Sequence, residues 1–197
     1  MTEVVPLDYR KLSYKPLFLD YLERYPAVSR FFAGDPFDPA VWKRVEGELD
    51  RAEHPRPEVA RALIELNRAL GADDAALASL SALESGALAV VTGQQVGILG
   101  GPLYTLYKAL SAIRLARAAS QSLSRPVVPL FWMDADDHDF EEVRSSHLLN
   151  GSGELVTVRY DDSGEPSRVP VGARRLGPGI EAVLAAATDA LPTTEFK

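Results

Sequence analysis

The chain has 197 residues, a net charge of −7 at pH 7 and no cysteine. That length is enough for one core, or for a core with a small appendage. The acidic balance argues against a general nucleic-acid binder, since phosphate contacts need a basic surface, and the lack of cysteine excludes disulfides and thiolate metal sites.

No apolar run approaches the roughly 20 residues of a membrane span. The first residues, Met1 to Asp8, lack the basic and apolar regions of a signal peptide. The expectation is a cytoplasmic protein with neither nucleic-acid nor membrane partners.

Residues 1–15 have no clear period and read as an extended lead-in. Pro16 suits a first helical turn, and Leu17, Tyr21 and Leu22 share a face of the helix that follows. Pro26 interrupts it, and Val28, Phe31 and Phe32 resume a short amphipathic piece. Gly34 to Pro39 is turn chemistry. Val41, Val45 and Leu49 repeat at helical spacing until His54-Pro55-Arg56-Pro57 breaks the pattern. Val59, Leu63, Leu66 and Leu70 mark another helix, stopped by Gly71. Asp73 is a natural N-cap for a third, which carries Leu77, Leu80 and Leu83. Residues 1–85 therefore read as helices whose mixed charges mark solvated faces.

The organising stretch follows. Ala87 to Thr92 is an apolar run of strand length. Gly93 to Pro102 is a glycine-rich turn, and a long helical pattern starts at Leu103. Leu103, Leu106, Tyr107, Leu110 and Ile113 are expected toward the core, with Arg114, Arg117 and Gln121 outside. Ser124-Arg125-Pro126 ends the helix, and a second apolar strand runs from Val127 to Met133. Asp134-Ala135-Asp136-Asp137-His138-Asp139 closes the unit. In an open parallel sheet ligands bind beyond the carboxyl ends of the strands, so the glycine turn and the acidic turn should face each other.

The pattern then changes. Asn150 to Gly153 is a turn between His147-Leu148-Leu149 and Leu155 to Val158, which reads as a β-hairpin. Asp161 to Gly164 is a second turn, Val169-Pro170-Val171 a third short strand, and Ile180, Val183, Leu184 and Leu191 a last helix. The fold class is α/β, with a Rossmann-like parallel core, a helical lead-in and a hairpin insertion. Only two strands clearly belong to the parallel sheet, whereas such sheets usually have about five or six. Both strands are apolar on both faces, as interior strands are, so the chain alone is expected to self-associate or to be marginally stable, and to be inactive by itself.

Two constellations carry chemistry. Gly97, Gly100 and Gly101 permit positive φ and close approach of a ligand to the backbone, and Pro102 presets the first helical turn. The helix start favours an anion such as phosphate or carboxylate. No Gly-Lys-Ser/Thr follows, and Gly93, Gly97 and Gly100 have the wrong spacing for a dinucleotide fingerprint. A tight strand-to-helix turn with packing glycines would give the same residues. Gln94 and Gln95 offer neutral donors and acceptors at the strand end. Tyr104 and Lys108 lie one helical turn apart on one face, from which Lys108 could reach a phosphate.

The second constellation is Asp134, Asp136, Asp137, His138 and Asp139. A histidine among carboxylates can act as general acid or base, and carboxylates could hold Mg²⁺. Adjacent side chains cannot all point one way, so two or three should face the site. An acidic helix start would have the same composition.

Taken together, Gly93 to Lys108 and Phe131 to Glu142 resemble the bacillithiol biosynthesis cysteine-adding enzyme, the cysteine ligase of that pathway. The resemblance covers Gly86 to Glu142 well; the lead-in and the hairpin agree more weakly. It implies a Rossmann-like core at residues 86–145 akin to class I nucleotidyltransferases. Residues 1–85 would pack on that core, and residues 146–197 would be an inserted hairpin and helix. The family also has a C-terminal coiled-coil arm and longer chains, of which this would be the N-terminal portion, lacking a C-terminal portion; homodimers belong to the longer members.

The implied reaction joins L-cysteine to the amino group of glucosaminyl-malate. Amide formation from a free carboxylate needs activation, most simply as an adenylate or acyl phosphate, which makes ATP with Mg²⁺ the candidate cofactor. Asp136, His138, Asp139 and Gln95 would be catalytic, with Asp136 and His138 binding the amine or acting as base. Gly93, Gln94, Gly97, Gly100, Gly101, Pro102, Tyr104, Thr105, Lys108 and Asp137 would bind substrate or nucleotide. Asp134-Ala135-Asp136-Asp137 departs from the family pattern, in which a small residue and glutamate are expected. Two other readings use the same residues: a non-catalytic ligand-binding domain, and a metal-dependent hydrolase, which the lack of cysteine and of a second nearby histidine disfavours.

Overall fold

In a computed structural model, residues 8–161 and 169–194 are described. A single 3₁₀ turn at Tyr9–Lys11 precedes helices α1 (Pro16–Glu23) and α2 (Tyr25–Val28). Then come α3 (Pro39–Arg51), α4 (Arg56–Ala69) and α5 (Asp74–Glu84). Caps fix two of these starts. The Asp38 carboxylate accepts from the Ala40 N–H at 2.9 Å, and that of Asp73 accepts from the Ala76 N–H at 2.8 Å.

Strand β1 (Leu88–Gln95), helix α6 (Leu103–Leu123) and strand β2 (Val127–Asp134) form the βαβ unit. The strands pair in parallel, with Leu88 opposite Val127 at one end and Gln95 opposite Asp134 at the other. No third strand joins them among the described residues. One face of the pair packs on α4 and α5, where Ala60, Leu80, Leu83, Ala87 and Val128 are buried together. The other face takes α6, whose Ala112, Ala116, Ala119 and Leu123 are buried. Small side chains at that helical spacing let the helix lie close to the strands.

The rest of α6 departs from expectation. Leu103, Leu106, Tyr107 and Leu110 are exposed, because at helical spacing they lie on the side of α6 away from the buried stripe of Ala112, Ala116, Ala119 and Leu123. On the sheet, Val91 and Trp132 share the face toward α4 and α5 yet remain 63% and 62% exposed. Those helices cover only the first half of the strands.

After β2 come the single-turn helix α7 (Phe140–Val143) and the antiparallel strands β3 (Ser145–Leu149) and β4 (Leu155–Arg159). The Asn150 side-chain oxygen accepts from the N–H groups of Ser152 and Glu154 and shapes the hairpin turn. The turn expected at Asp161 to Gly164 lies, from residue 162, outside the described residues. Val169-Pro170-Val171 is not a strand. Val171–Ala173 is a 3₁₀ turn whose first two N–H groups, those of Val171 and Gly172, go to the acidic loop rather than to a sheet partner. Helix α8 (Gly179–Ala190) completes this lobe. Its core joins Phe140, Val143, Val158, Tyr160, Val171, Val183 and Ala187 to Ile98 of the glycine turn.

Arg125 binds the base of the unit together. Its guanidinium donates to the Gly86 carbonyl at 2.6 and 3.0 Å, to Asp50 of α3 at 2.9 Å and to buried Glu46 at 3.4 Å. Lys43 and then Arg125 hold the Glu46 carboxyl below its usual range. Replacing Arg125 with Met should cost about 3 kcal/mol, the scale for losing charge-assisted bonds that leave a buried carboxylate short of a partner. A denaturant melt would measure it, and a loss under about 1 kcal/mol would mean that α3 is held by apolar packing instead.

Candidate functional site

Because β1 and β2 end level, the segments that leave them stand side by side. The glycine turn is built by three successive residues at positive φ: Leu99 (57°), Gly100 (86°) and Gly101 (73°). Leu99 is the unusual member, since a left-handed non-glycine residue costs about 1 kcal/mol or more and persists only where its surroundings impose it. Its neighbour Ile98 is buried in the core of the hairpin lobe. Gly97 and Gly101 are in close approach: a Cβ on Gly97 would lie 2.8 Å from the Gly101 Cα. Helix α6 then starts at Leu103 behind Pro102, with no side-chain cap. The Thr105 hydroxyl in its first turn is buried and meets no hydrogen-bond partner among the described residues. An uncapped helix start, a closely packed glycine cradle and an orphaned hydroxyl fit an anionic group such as a phosphate or carboxylate.

Lys108 reaches back from α6. Its ammonium donates to the Gly93 carbonyl at 2.8 Å and to the Gln94 side-chain oxygen at 3.0 Å, and lies 4.7 Å over the Tyr104 ring. The charge sits at the end of β1 and orients Gln94. Gly93 is needed there for room: a Cβ would come 2.8 Å from the Trp132 carbonyl oxygen.

The acidic loop divides its groups by task. The Asp137 carboxylate accepts from the Gln95 side-chain amide, a bond that spans the two strand ends. It also accepts from the Asp139 N–H at 3.0 Å. The Asp139 carboxylate caps α7 by accepting from the Glu141 N–H at 3.1 Å. Asp134 and Asp136 are exposed. His138 has 73% of its side chain exposed, with Nδ1 3.8 Å from Asp137. Thus the structure brings Gln95 and Asp137 into contact, gathers Gly93, Gln94, Tyr104 and Lys108 beside them, and leaves Asp136 and His138 open to solvent. Among the described residues no three acidic or histidine side chains are grouped to hold a metal ion.

Sequence reasoning did not include Ile98, Val171 or Gly172, which hold the two loops from the hairpin lobe. A buried isoleucine inside a glycine turn was the one available signal.

The chain matches the family model described as bacillithiol biosynthesis BshC, N-terminal Rossmann-like domain, over residues 2–197. Among curated proteins it is 33% identical over 186 residues to one from Salinibacter ruber, covering 94% of this chain and 34% of that protein. It is 38% identical over 180 residues to one from Desulforamulus reducens, covering 90% and 33%. A relative from Chlorobaculum tepidum is 33% identical over 206 residues, covering 97% and 36%. Each carries the name "Putative cysteine ligase BshC". The chain therefore spans about a third of the length of the curated relatives it matches.

The backbone N–H of Asp139 foremost, and then the Gln95 amide, hold the Asp137 carboxyl below the usual aspartate range. A carboxyl whose folded pKa is depressed stabilises the fold above its unfolded pKa and loses that contribution as pH falls through the depressed value. A carbon-13 titration should therefore place Asp137 below an ordinary aspartate, and Gln95→Leu should raise it. Titration of Asp137 at or above the ordinary range would mean that the bridge does not form in solution.

Proposed function

The chain belongs to the BshC family of bacillithiol biosynthesis, and from that premise we propose that it forms the strand-end site of a cysteine ligase. The reaction of the whole protein is taken as amide formation between the carboxyl group of L-cysteine and the amino group of glucosaminyl-malate. The observation that carries this reading is the Gln95–Asp137 bond. It draws the glycine turn and the acidic loop together at one end of the sheet, where an open α/β fold places its ligand.

Each group then has a task its surroundings allow. The glycine turn and the first turn of α6, with the Thr105 hydroxyl, receive an anion. Where that anion is part of ATP, the nucleotide supplies activation of the carboxylate, and Gly97, Gly100, Gly101 and Thr105 are the residues that would hold it. The described side chains form no Mg²⁺ cage of their own, and no step is assigned to that ion. Lys108 keeps Gln94 turned toward the strand end. As the amine nitrogen bonds to the carboxyl carbon, a carbon–oxygen bond breaks, the oxygen leaves with the group that activates it, and the amine loses a proton. Asp136 and His138 would orient the amine and take that proton; both are open to solvent, whereas Asp137 and Asp139 are engaged elsewhere. A cytoplasmic setting accords with this chemistry. Among the described residues no helix is long and apolar enough to cross a membrane.

In a protein of the relatives' full length, His138→Ala and Asp136→Ala should each lower product formation about 100-fold, the scale for a positioned acid or base, with unchanged melting temperature. Product mass in a single turnover would decide. Rates within a few-fold of the parent for both variants would reduce the acidic run to a helix start.

A further inference from the structure

The acidic loop is held from a distance. Val171, buried in the core of the hairpin lobe, donates its backbone N–H to the Asp137 carbonyl at 2.7 Å. The next residue, Gly172, donates its N–H to the Ala135 carbonyl at 2.9 Å. Two consecutive amides of the 3₁₀ turn thus engage two carbonyls of the loop, on either side of Asp136. Farther on, the Arg174 guanidinium lies 4.5 Å over the ring of buried Phe140, at the start of α7. The turn therefore grips both the loop and the helix that follows it.

Gly172 is where this grip is tightest. A Cβ there would stand 2.9 Å from the Ala135 Cβ and 3.3 Å from its carbonyl oxygen. Its φ lies outside the left-handed region. Contact with the loop, not backbone conformation, is what asks for glycine. A larger residue would have to lift the turn from the loop, and both amide bonds depend on that separation.

We propose that the Val171–Ala173 turn is a latch on the acidic loop, with Gly172 as a positioning residue. It fixes the carbonyls of Ala135 and Asp137, so that the Asp137 side chain meets Gln95 and Asp136 faces outward. This rests on the reading of the strand ends as the active site, but its first test needs no ligand.

On the nitrogen-15-labelled 197-residue chain, amide exchange at Val171 and Gly172 and the side-chain amide signals of Gln95 report the latch directly. Gly172→Val should lose about tenfold or more of the protection at both amides, the signature of local opening, while β3 and β4 keep theirs. The Gln95 amide signals should move toward those of a free glutamine. Gly172→Ala should do the same in smaller measure, and adding Ala135→Gly, which removes the opposing methyl, should restore both readouts. If Gly172→Val fails to fold, the alanine variant and its rescue decide alone. Folded variants with unchanged Gln95 signals and exchange would overturn the proposal, and so would absence of rescue by Ala135→Gly. In a protein of the relatives' length, product formation lost in Gly172→Ala should return with Ala135→Gly. An altered Gln95 signal without loss of turnover would overturn the positioning role. Rates within a few-fold of the parent in both Asp136→Ala and His138→Ala would instead overturn the reading of the site.

Discussion

The in-register parallel pairing of β1 and β2 is the constraint on which the remaining structure depends. With Gln95 opposite Asp134, both chains leave the sheet at the same height. A shift of one residue would turn Gln95 to the other face, because side chains alternate along a strand. Gln95 could not then meet Asp137, and Gln94 would lose Lys108. The alternation also divides the glutamines: Gln94 faces α6 and its lysine, whereas Gln95 faces the acidic loop. Two adjacent amides thereby tie one strand end to two different elements.

Cations secure β1 at both ends. At its base Arg125 donates to the Gly86 carbonyl, and Arg56 to that of Ala87 at 2.8 Å. At its tip Lys108 donates to the Gly93 carbonyl. A pair of strands with only one ladder leaves backbone oxygens to be satisfied by other means, and an unsatisfied buried carbonyl costs about as much as a lost hydrogen bond. Lys108 is thus structural as well as electrostatic at the strand end. Its charge is placed by the strand, and the strand end is placed by its charge.

The order of elements was legible because it is written in local patterns. Apolar runs, the Asp73 cap, the Asn150 turn and Pro126 each act over a few residues. The positions that assemble the site act over longer separations and leave no such trace. Nothing in the spacing of Ile98 says that it is buried with Val158 and Val183 rather than under α6. Gly172 reads as an ordinary loop glycine until Ala135 is seen against it. The helical stripe Leu103, Leu106, Tyr107 and Leu110 is legible as a face, but periodicity cannot say what stands opposite, and those side chains are exposed. The Val169 to Val171 run has strand composition, yet the Val171 amide finds the Asp137 carbonyl of the acidic loop and a turn starts there.

The acidic run shows why composition alone overstates a site. Four carboxylates in six residues look like one field, but backbone geometry assigns them separately. Asp139 is bound to the N–H of Glu141 as a cap, and Asp137 to the N–H of Asp139 and to Gln95. A carboxylate that accepts several hydrogen bonds is a poor base, because the bonds that hold it favour its charged form. The same bonds make it a good anchor. Asp137 and Asp139 keep the loop folded in the shape that leaves Asp136 and His138 exposed. Two acidic residues thus hold the loop, while the carboxylates of Asp134 and Asp136 and the imidazole of His138 stay exposed.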